Sequence, residues 1–189
     1  MNEAVNADTE NPSQQQLSSL LEHYQNGRLN EAEKLAVSIT NEFPKHQFSW
    51  KVLGAVLVAI GRKSEALDAS QKAVALSPQD ARAHNNLGIT LQELGRLKEA
   101  EASYNQAIVL MPHYAEAHCN LGNVLKELGR LHEAETSFNQ AIALMPNFAE
   151  AHSNLGVVFQ ELSRLEEAKV SLIRAIALTP NFMDAARNL

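Results

Sequence analysis

AEAHCNLGNVLKELGRLHEAETSFNQAIALMPNF, residues 115–148, is the middle one of three consecutive stretches that repeat one another, each 34 residues long. The preceding stretch, Ala81–Tyr114, is identical to it at 23 of 34 positions without a gap, and Ala149–Phe182 continues the pattern. An internal period of this length marks one supersecondary unit stacked on copies of itself. The period predicts a repeat array, so the search for function is directed to a groove on its surface.

Each unit has the signals of two helices. In the first of the three stretches, Leu87 and Leu91 keep helical spacing and form a buried stripe. Gly95 is expected to end that helix, because glycine adopts the left-handed conformation without steric cost. A second helix is expected from Leu97, and Pro112 closes the unit because proline cannot continue the helix.

The same residue types recur in the next two units. They are Leu121, Gly122, Leu125, Gly129, Ala134, Phe138, Ala141 and Pro146, then Leu155, Gly156, Phe159, Ala168, Leu172, Ala175 and Pro180. This pattern resembles the tetratricopeptide repeat (TPR) family. The resemblance implies an all-α fold, a right-handed α-solenoid of stacked antiparallel helix pairs known as a TPR superhelix. Ser163 stands where the pattern has glycine, so the turn of that unit is expected to be less favourable.

The resemblance extends towards both ends of the chain. Gln47–Asp80 has the same pattern with Trp50 in the fourth position, whereas Ser13–His46 keeps little of it and is interpreted as a degenerate capping repeat. Met1–Pro12 is polar and is expected to be disordered. Met183–Leu189 begins a sixth unit, so we expect the chain to be the front portion of a longer protein. The expected organisation is 1–12, 13–46, 47–80, 81–114, 115–148, 149–182 and 183–189.

Composition restricts the classes of partner. The net charge is −6, and lysine and arginine are scattered, which argues against nucleic acid or an anionic membrane as a partner. There is neither a secretory signal nor an apolar run of the roughly 18 residues needed to span a membrane. The single cysteine excludes an internal disulfide framework and fits a reducing compartment, so a cytoplasmic location is expected.

The residues that could carry chemistry are better explained by packing. His84, His118 and His152 recur at the fourth repeat position, but stacked repeats would hold them about 10 Å apart, whereas zinc ligands lie about 2 Å from one ion. We expect them to pack between helices. Cys119 lacks a positioned base and is interpreted as a neutral, groove-lining thiol. The sequence therefore predicts no enzyme, no cofactor and no metal site.

The TPR resemblance implies that the first helix of each repeat lines a concave groove, through the second, fifth, sixth, ninth, twelfth and thirteenth positions. These offsets lie on one helical stripe. The candidate peptide-binding residues are Asn86, Asn120, Asn154, Asn188, Asn123, Lys126, Gln92, Gln160, Glu93, Glu127, Glu161 and Lys51. Towards the amino end the groove becomes apolar, with Ala55, Val58 and Ala59 beside Phe48.

The asparagines at the sixth position give the sharpest binding hypothesis. An amide can donate to and accept from a peptide backbone whatever the peptide's side chains, and asparagine in mid-helix costs stability that another benefit should offset. The ladder resembles that in the superhelical repeats of O-linked N-acetylglucosamine transferase. The alternative is that these asparagines serve packing.

A carboxylate clamp for chaperone tails is not expected, although Lys51 and Asn86 match it. Ala55, Glu116 and Asn120 stand where that clamp requires asparagine, lysine and arginine. The groove also carries Glu150 and Asp184, which favours a neutral or basic extended segment unless the array's own cations pair with the glutamates.

Three functions remain open at this point. The leading hypothesis is a non-catalytic scaffold that binds an extended protein segment in its groove. The second is self-assembly into homo-oligomers through uncapped end repeats. The third is the substrate-recruiting arm of a larger enzyme, such as a glycosyltransferase.

Overall fold

A computed structural model describes residues 11–179, which contain ten α-helices and no strand. The helices are α1 (Gln14–Gln25), α2 (Leu29–Glu42), α3 (Gln47–Ala59), α4 (Lys63–Leu76), α5 (Ala81–Glu93), α6 (Leu97–Leu110), α7 (Ala115–Glu127), α8 (Leu131–Leu144), α9 (Ala149–Glu161) and α10 (Leu165–Leu178). The expectations for Met1–Glu10 and for Met183–Leu189, including Asn188 and Asp184, lie outside the described residues. The all-α solenoid class is confirmed.

The chain divides into two compact units, residues 1–94 and residues 95–189. In the first unit each helix contacts the next from α1 to α5, and α1, α3 and α5 also contact one another in order. In the second unit each helix contacts the next from α6 to α10, and α7 also contacts α9. The odd-numbered helices of each unit thus form one layer, whose open surface we call the groove face.

The turns inside the helix pairs explain the glycine pattern. Gly129 has φ +74°, its amide donates to the Lys126 carbonyl (2.9 Å), and the Arg130 amide donates to the Leu125 carbonyl (2.9 Å). These two bonds are a Schellman motif, which requires a left-handed residue after the helix. Ser163 takes the same conformation at φ 60°, the only non-glycine among the described residues to do so, and a side chain in this region normally costs about 1–2 kcal/mol.

Small residues allow the paired helices to approach closely. A Cβ added to Gly122 would lie 2.7 Å from the ring of Phe138, and one added to Gly156 would lie 2.7 Å from Leu172. Phe138 and Leu172 are among the largest fully buried side chains. Glycine at the eighth repeat position therefore makes room for the large residue at the twenty-fourth.

Arginines link successive repeats within each unit. Arg130 donates to Glu133 of its own repeat and to Glu101 of the preceding repeat (2.7 Å to each). Arg164 binds Glu135 of the preceding repeat in the same way (2.8 Å), and Arg62 repeats the arrangement in the first unit. Because these pairs are partly exposed, each contributes modestly to stability.

Candidate binding groove

The groove face of the first unit contains an apolar pocket of about 410 Å³. It is formed by three odd-numbered helices, and its lining residues are Tyr24 from α1, Lys51, Val52, Ala55, Val58 and Ala59 from α3, and Asn86, Ile89 and Thr90 from α5. The structure thus brings together Lys51 and Asn86, two of the predicted site residues, with Ala55, Val58 and Ala59 from the predicted apolar end. The size falls in the range of small-ligand pockets, about 300–1,000 Å³.

A polar cluster at one side of the pocket was not anticipated from the sequence. Asp80 accepts hydrogen bonds from Lys51 Nζ and Gln47 Nε2, both 2.8 Å long, and both donors belong to α3. Its other carboxylate oxygen caps α5 by accepting from the Arg82 amide at 2.8 Å. Asp80 therefore ties α3 to the start of α5 and fixes where the Lys51 ammonium lies.

Burial acts to raise the pKa of the Asp80 carboxyl, but its surroundings outweigh that effect. The hydrogen bonds from Lys51, Gln47 and the Ala83 amide, together with the Lys51 charge, hold the pKa below its ordinary value. The side chains of Lys51 and Asp80 are 18% and 20% exposed, so the pair is shielded from solvent. Lys51 thus presents a largely neutralised charge to the pocket.

Asn86 lies half-buried at the pocket beside buried hydroxyl groups. The Thr90 hydroxyl donates to the Asn86 carbonyl at 2.9 Å, so the Ser70 hydroxyl, 3.2 Å away, is the donor in its bond to Thr90. The first of these bonds uses the backbone carbonyl of Asn86, and Asn86 itself is one of the residues that line the pocket. An amide in that position can both donate to and accept from a peptide backbone.

The groove face of the second unit has a polar set of predicted residues. Asn120, Asn123, Asn154 and Lys126 are half-buried on α7 and α9, while Gln160 is exposed. The Asn154 side chain bonds the Cys119 thiol, which uses part of its hydrogen-bonding capacity. The second unit therefore offers amides where the first unit offers an apolar pocket.

The predicted acidic character of the groove is only partly present. Lys63 of α4 binds Glu93 through both the side-chain carboxylate and the backbone carbonyl, each at 2.8 Å. Glu93 therefore pairs with a cation of its own repeat array, which is the alternative that the sequence left open. Glu127 and Glu161 are exposed, as are Glu116 and Glu150.

Two expectations about the groove lining were wrong. The fifth repeat position is buried at Asn85, Cys119 and Ser153, which are 4%, 1% and 4% exposed, so Cys119 does not line the groove. Burial, with a smaller contribution from Glu150, raises the pKa of the thiol to about 12, so it is protonated at neutral pH and poorly suited to act as a nucleophile.

The pocket wall also differs from the expected one. Phe48 lies under the ammonium of Lys51, 5.7 Å from Nζ to the ring centroid, whereas Tyr24 takes the place at the pocket that Phe48 was expected to fill. Tyr24 belongs to the degenerate first repeat, where the family pattern gives little guidance. Its apolar first helix was the signal that could have identified it.

The recurring histidines have a hydrogen-bonding role. The Nε2 atoms of His84, His118 and His152 lie 2.9, 3.1 and 3.0 Å from the carbonyl oxygens of Pro78, Pro112 and Pro146. A carbonyl can only accept, so each Nε2 carries hydrogen. Trp50 Nε1 donates to Pro44 in the same way at 2.9 Å, which explains why tryptophan and histidine share the fourth position.

Between residues 11 and 179 no group of three histidine, cysteine or acidic side chains is placed to hold a metal ion. Within the same span no helix has the length and apolar character to cross a membrane.

The chain matches three models of the tetratricopeptide repeat, at residues 54–95, 79–147 and 119–188. Together these matches run through the repeats from α3 onwards. The chain belongs to the tetratricopeptide repeat family. Its members are protein-interaction scaffolds, typically non-catalytic, that bind proteins or peptides. No curated protein matches the chain in sequence.

Solved structures share the fold. TTC0263, a TPR protein of Thermus thermophilus, superposes with a TM-score of 0.80 at 26% identity, covering 93% of this chain and 96% of its own. YrrB, described as a TPR protein with an unusual peptide-binding site, gives 0.70 at 24%, covering 94% and 93%. MamA of Desulfovibrio magneticus RS-1 gives 0.75 at 17%, covering 88% and 94%.

Proposed function

We propose that the groove face of the first unit binds an extended segment of a partner protein and takes one bulky apolar side chain of that segment into its pocket. The observation that carries this proposal is the pocket itself, which lies at the predicted groove positions and is lined mainly by apolar side chains. Burying one such side chain contributes about 1.5–3 kcal/mol. That is enough to select peptides by the residue at one position.

The polar residues at the pocket supply the contacts to the peptide backbone. We expect the Asn86 amide to pair with a peptide N–H or C=O, and such pairing does not depend on the peptide's sequence. YrrB is an example of the same fold with a peptide-binding site. In this chain Asn120, Asn123 and Asn154 provide further amides on the groove face of the second unit.

The charges at the groove favour a neutral or basic segment. Lys51 is neutralised by Asp80, so it offers little attraction to an anion, and the exposed acids Glu116, Glu127 and Glu150 repel one. The net charge of −6 acts in the same direction. Selection in the pocket is then governed by shape and apolar contact rather than by an ion pair.

The test uses the full chain and a library of immobilised synthetic peptides of random sequence. We expect retained peptides to be enriched in one bulky apolar residue flanked by neutral or basic residues. Ala55→Asn introduces the residue that Asn123 has at the same repeat position, so the helix tolerates it, but it places a polar group in the pocket. This variant is expected to remove the enrichment in apolar residues and to weaken binding of the best peptide about 10- to 100-fold.

Two controls separate the pocket from the amides. Asn86→Ala should weaken all retained peptides alike, because it removes backbone contacts, and the double variant Asn120→Ala and Asn154→Ala measures the contribution of the second unit. Val157→Asn makes the same kind of change as Ala55→Asn at the same repeat position of α9, outside the pocket, and should leave the apolar enrichment intact. Equal enrichment with wild-type protein and Ala55→Asn would refute the pocket.

A further inference from the structure

The outward face of α10 differs in chemistry from that of α8, although the two helices belong to near-identical repeats. The differing positions share one stripe, because they are spaced i, i+3, i+4, i+7 and i+8 along the helix. They are Glu166, Lys169, Val170, Ile173 and Arg174, where α8 has His132, Glu135, Thr136, Asn139 and Gln140. Two β-branched apolar side chains thus replace polar ones on the surface. Val170 is 68% exposed and Ile173 is 49% exposed.

Val170 stands beside an apolar furrow on the side of the second unit away from its groove face. The furrow runs between α8 and α10, has a volume of about 530 Å³, and is bounded by Ile142, Leu155 and Phe159. The equivalent furrow between α6 and α8 has a volume of about 340 Å³, and Thr136 stands there in place of Val170. The repeat architecture therefore provides an internal comparison: both furrows have an apolar floor, Leu121 and Leu125 in the earlier one, but only the later has an apolar residue at the position of Val170.

The charges around Val170 are arranged symmetrically. Glu166 precedes it by four residues and Arg174 follows it by four, and both line the furrow. Each lies about 6 Å from Val170 along the helix axis. If two α10 helices pair antiparallel about a two-fold axis at Val170, Glu166 of each copy faces Arg174 of the other. Such an interface is isologous, so the Glu166–Arg174 salt bridge forms twice by symmetry.

The neighbouring groups leave these two charges available. Glu167 is bound by Arg164, so it is not the acid that a partner would meet. Arg174 makes one long hydrogen bond, 3.4 Å to Asn147, which holds its guanidinium weakly. A parallel pairing would place like charges together, which is unfavourable.

We propose that this furrow binds a second copy of the chain, through antiparallel pairing of α10 with its copy and insertion of each Val170 into the partner's furrow. This is a lateral dimer, and it differs from the end-to-end assembly expected from uncapped repeats.

The test is sedimentation equilibrium of the full chain over a wide range of concentration. Wild-type protein is expected to show a reversible monomer–dimer equilibrium that ends at the dimer. Arg174→Glu should raise the dimer dissociation constant about tenfold, because it turns two symmetric attractions into repulsions. The double variant Glu166→Arg and Arg174→Glu restores opposite charges across the axis and should return the constant to near the wild-type value.

A second pair of variants tests the apolar contact with a built-in control. Val170→Thr installs the residue that α8 already has, so folding is preserved, and it should weaken the dimer. Thr136→Val makes the reverse change at the equivalent position of α8 and should leave the dimer unchanged. Protein that stays monomeric throughout, growth beyond a dimer, or failure of the double charge variant to recover would each overturn the proposal.

Discussion

Gly122→Ala is expected to destabilise the second unit, although alanine is the better helix former. Gly122 lies inside α7, where replacement of glycine by alanine normally stabilises a helix by about 1 kcal/mol. Here the added methyl group would lie 2.7–2.9 Å from three atoms of the Phe138 ring. Carbon atoms in favourable contact are about 3.5–4.0 Å apart, so the ring would have to move by about 1 Å.

The ring would have to move within the buried core. Phe138 is fully buried at 0% exposure. Forcing an extra methyl group into such a core costs about 1–3 kcal/mol. Subtracting the gain of about 1 kcal/mol in helix propensity leaves an expected net loss of about 1 kcal/mol.

Gly54→Ala is the matched control in the first unit. Its added methyl group would also lie 2.7 Å from a neighbour, but that neighbour is the hydroxyl of Ser70, which can rotate away. Rotation breaks the bond from Ser70 to Thr90, at a cost of about 1 kcal/mol, which the helix propensity offsets. The free energy of unfolding of Gly54→Ala should therefore be close to that of the wild type.

Urea unfolding followed by circular dichroism gives the free energies, provided that the slopes with denaturant are the same for all three proteins. Hydrogen exchange then locates the effect, since only amides of α7, α8 and their neighbours should exchange faster in Gly122→Ala. A Gly122→Ala protein as stable as the wild type, or equal shifts in both variants, would refute the packing argument.

Three further outcomes are expected. Ser163→Gly should stabilise the chain by about 1 kcal/mol in urea unfolding, because glycine adopts the left-handed conformation without strain; no gain would show that the serine is unstrained. His118→Phe should lower the free energy of unfolding by about 0.5–1 kcal/mol, because it removes the N–H that donates to the Pro112 carbonyl, whereas His118→Trp keeps an N–H and should change it little. Equal losses in the two variants would contradict the hydrogen-bonding role. Asp80→Asn keeps the helix cap but loses the charge that pairs with Lys51, so it should be less stable at pH 7. Since the folded pKa of Asp80 is lowered, its ion pair stabilises fully above the unfolded value of about 3.9, and the benefit is lost as the pH falls through the folded pKa. A wild-type advantage that did not shrink as the pH was lowered through the acid range would refute this assignment.

The helix pairs and their turns could be predicted because each depends on short-range rules that the repeat displays several times. The end of α7 at Gly129 and the strained equivalent at Ser163 follow from backbone conformation alone. The groove positions Asn86 and Val58 were identified for a similar reason, since side-chain direction on a helix follows its period.

The partners of side chains could not be predicted in the same way. Lys51 and Asp80 are 29 residues apart, and only packing of α3 against α5 shows that one reaches the other. A sequence signal existed, however. Asp80 occupies a repeat position that is aromatic at Tyr114 and Phe148, while Lys51 occupies one that is small and polar in the later repeats. Lys51 and Asp80 are opposite charges that both depart from the pattern within the same repeat. Such a combination indicates that the two side chains form an ion pair.

In both proposals, the selective apolar contacts come from departures from the repeat pattern, whereas the asparagines shared by the later repeats supply sequence-independent contacts to the peptide backbone. Positions shared by all copies, such as Gly122 or the Arg130 bridge, are explained by packing of one helix pair on the next. A residue that differs in one copy is not needed for the stacking of helix pairs, because the other copies stack without it. Lys51 with Asp80 sets the polarity of the first-unit pocket, and Val170 adds an exposed apolar side chain to the furrow beside α10. Restoring the residue found in a sister repeat is thus a direct way to remove a function while keeping the fold.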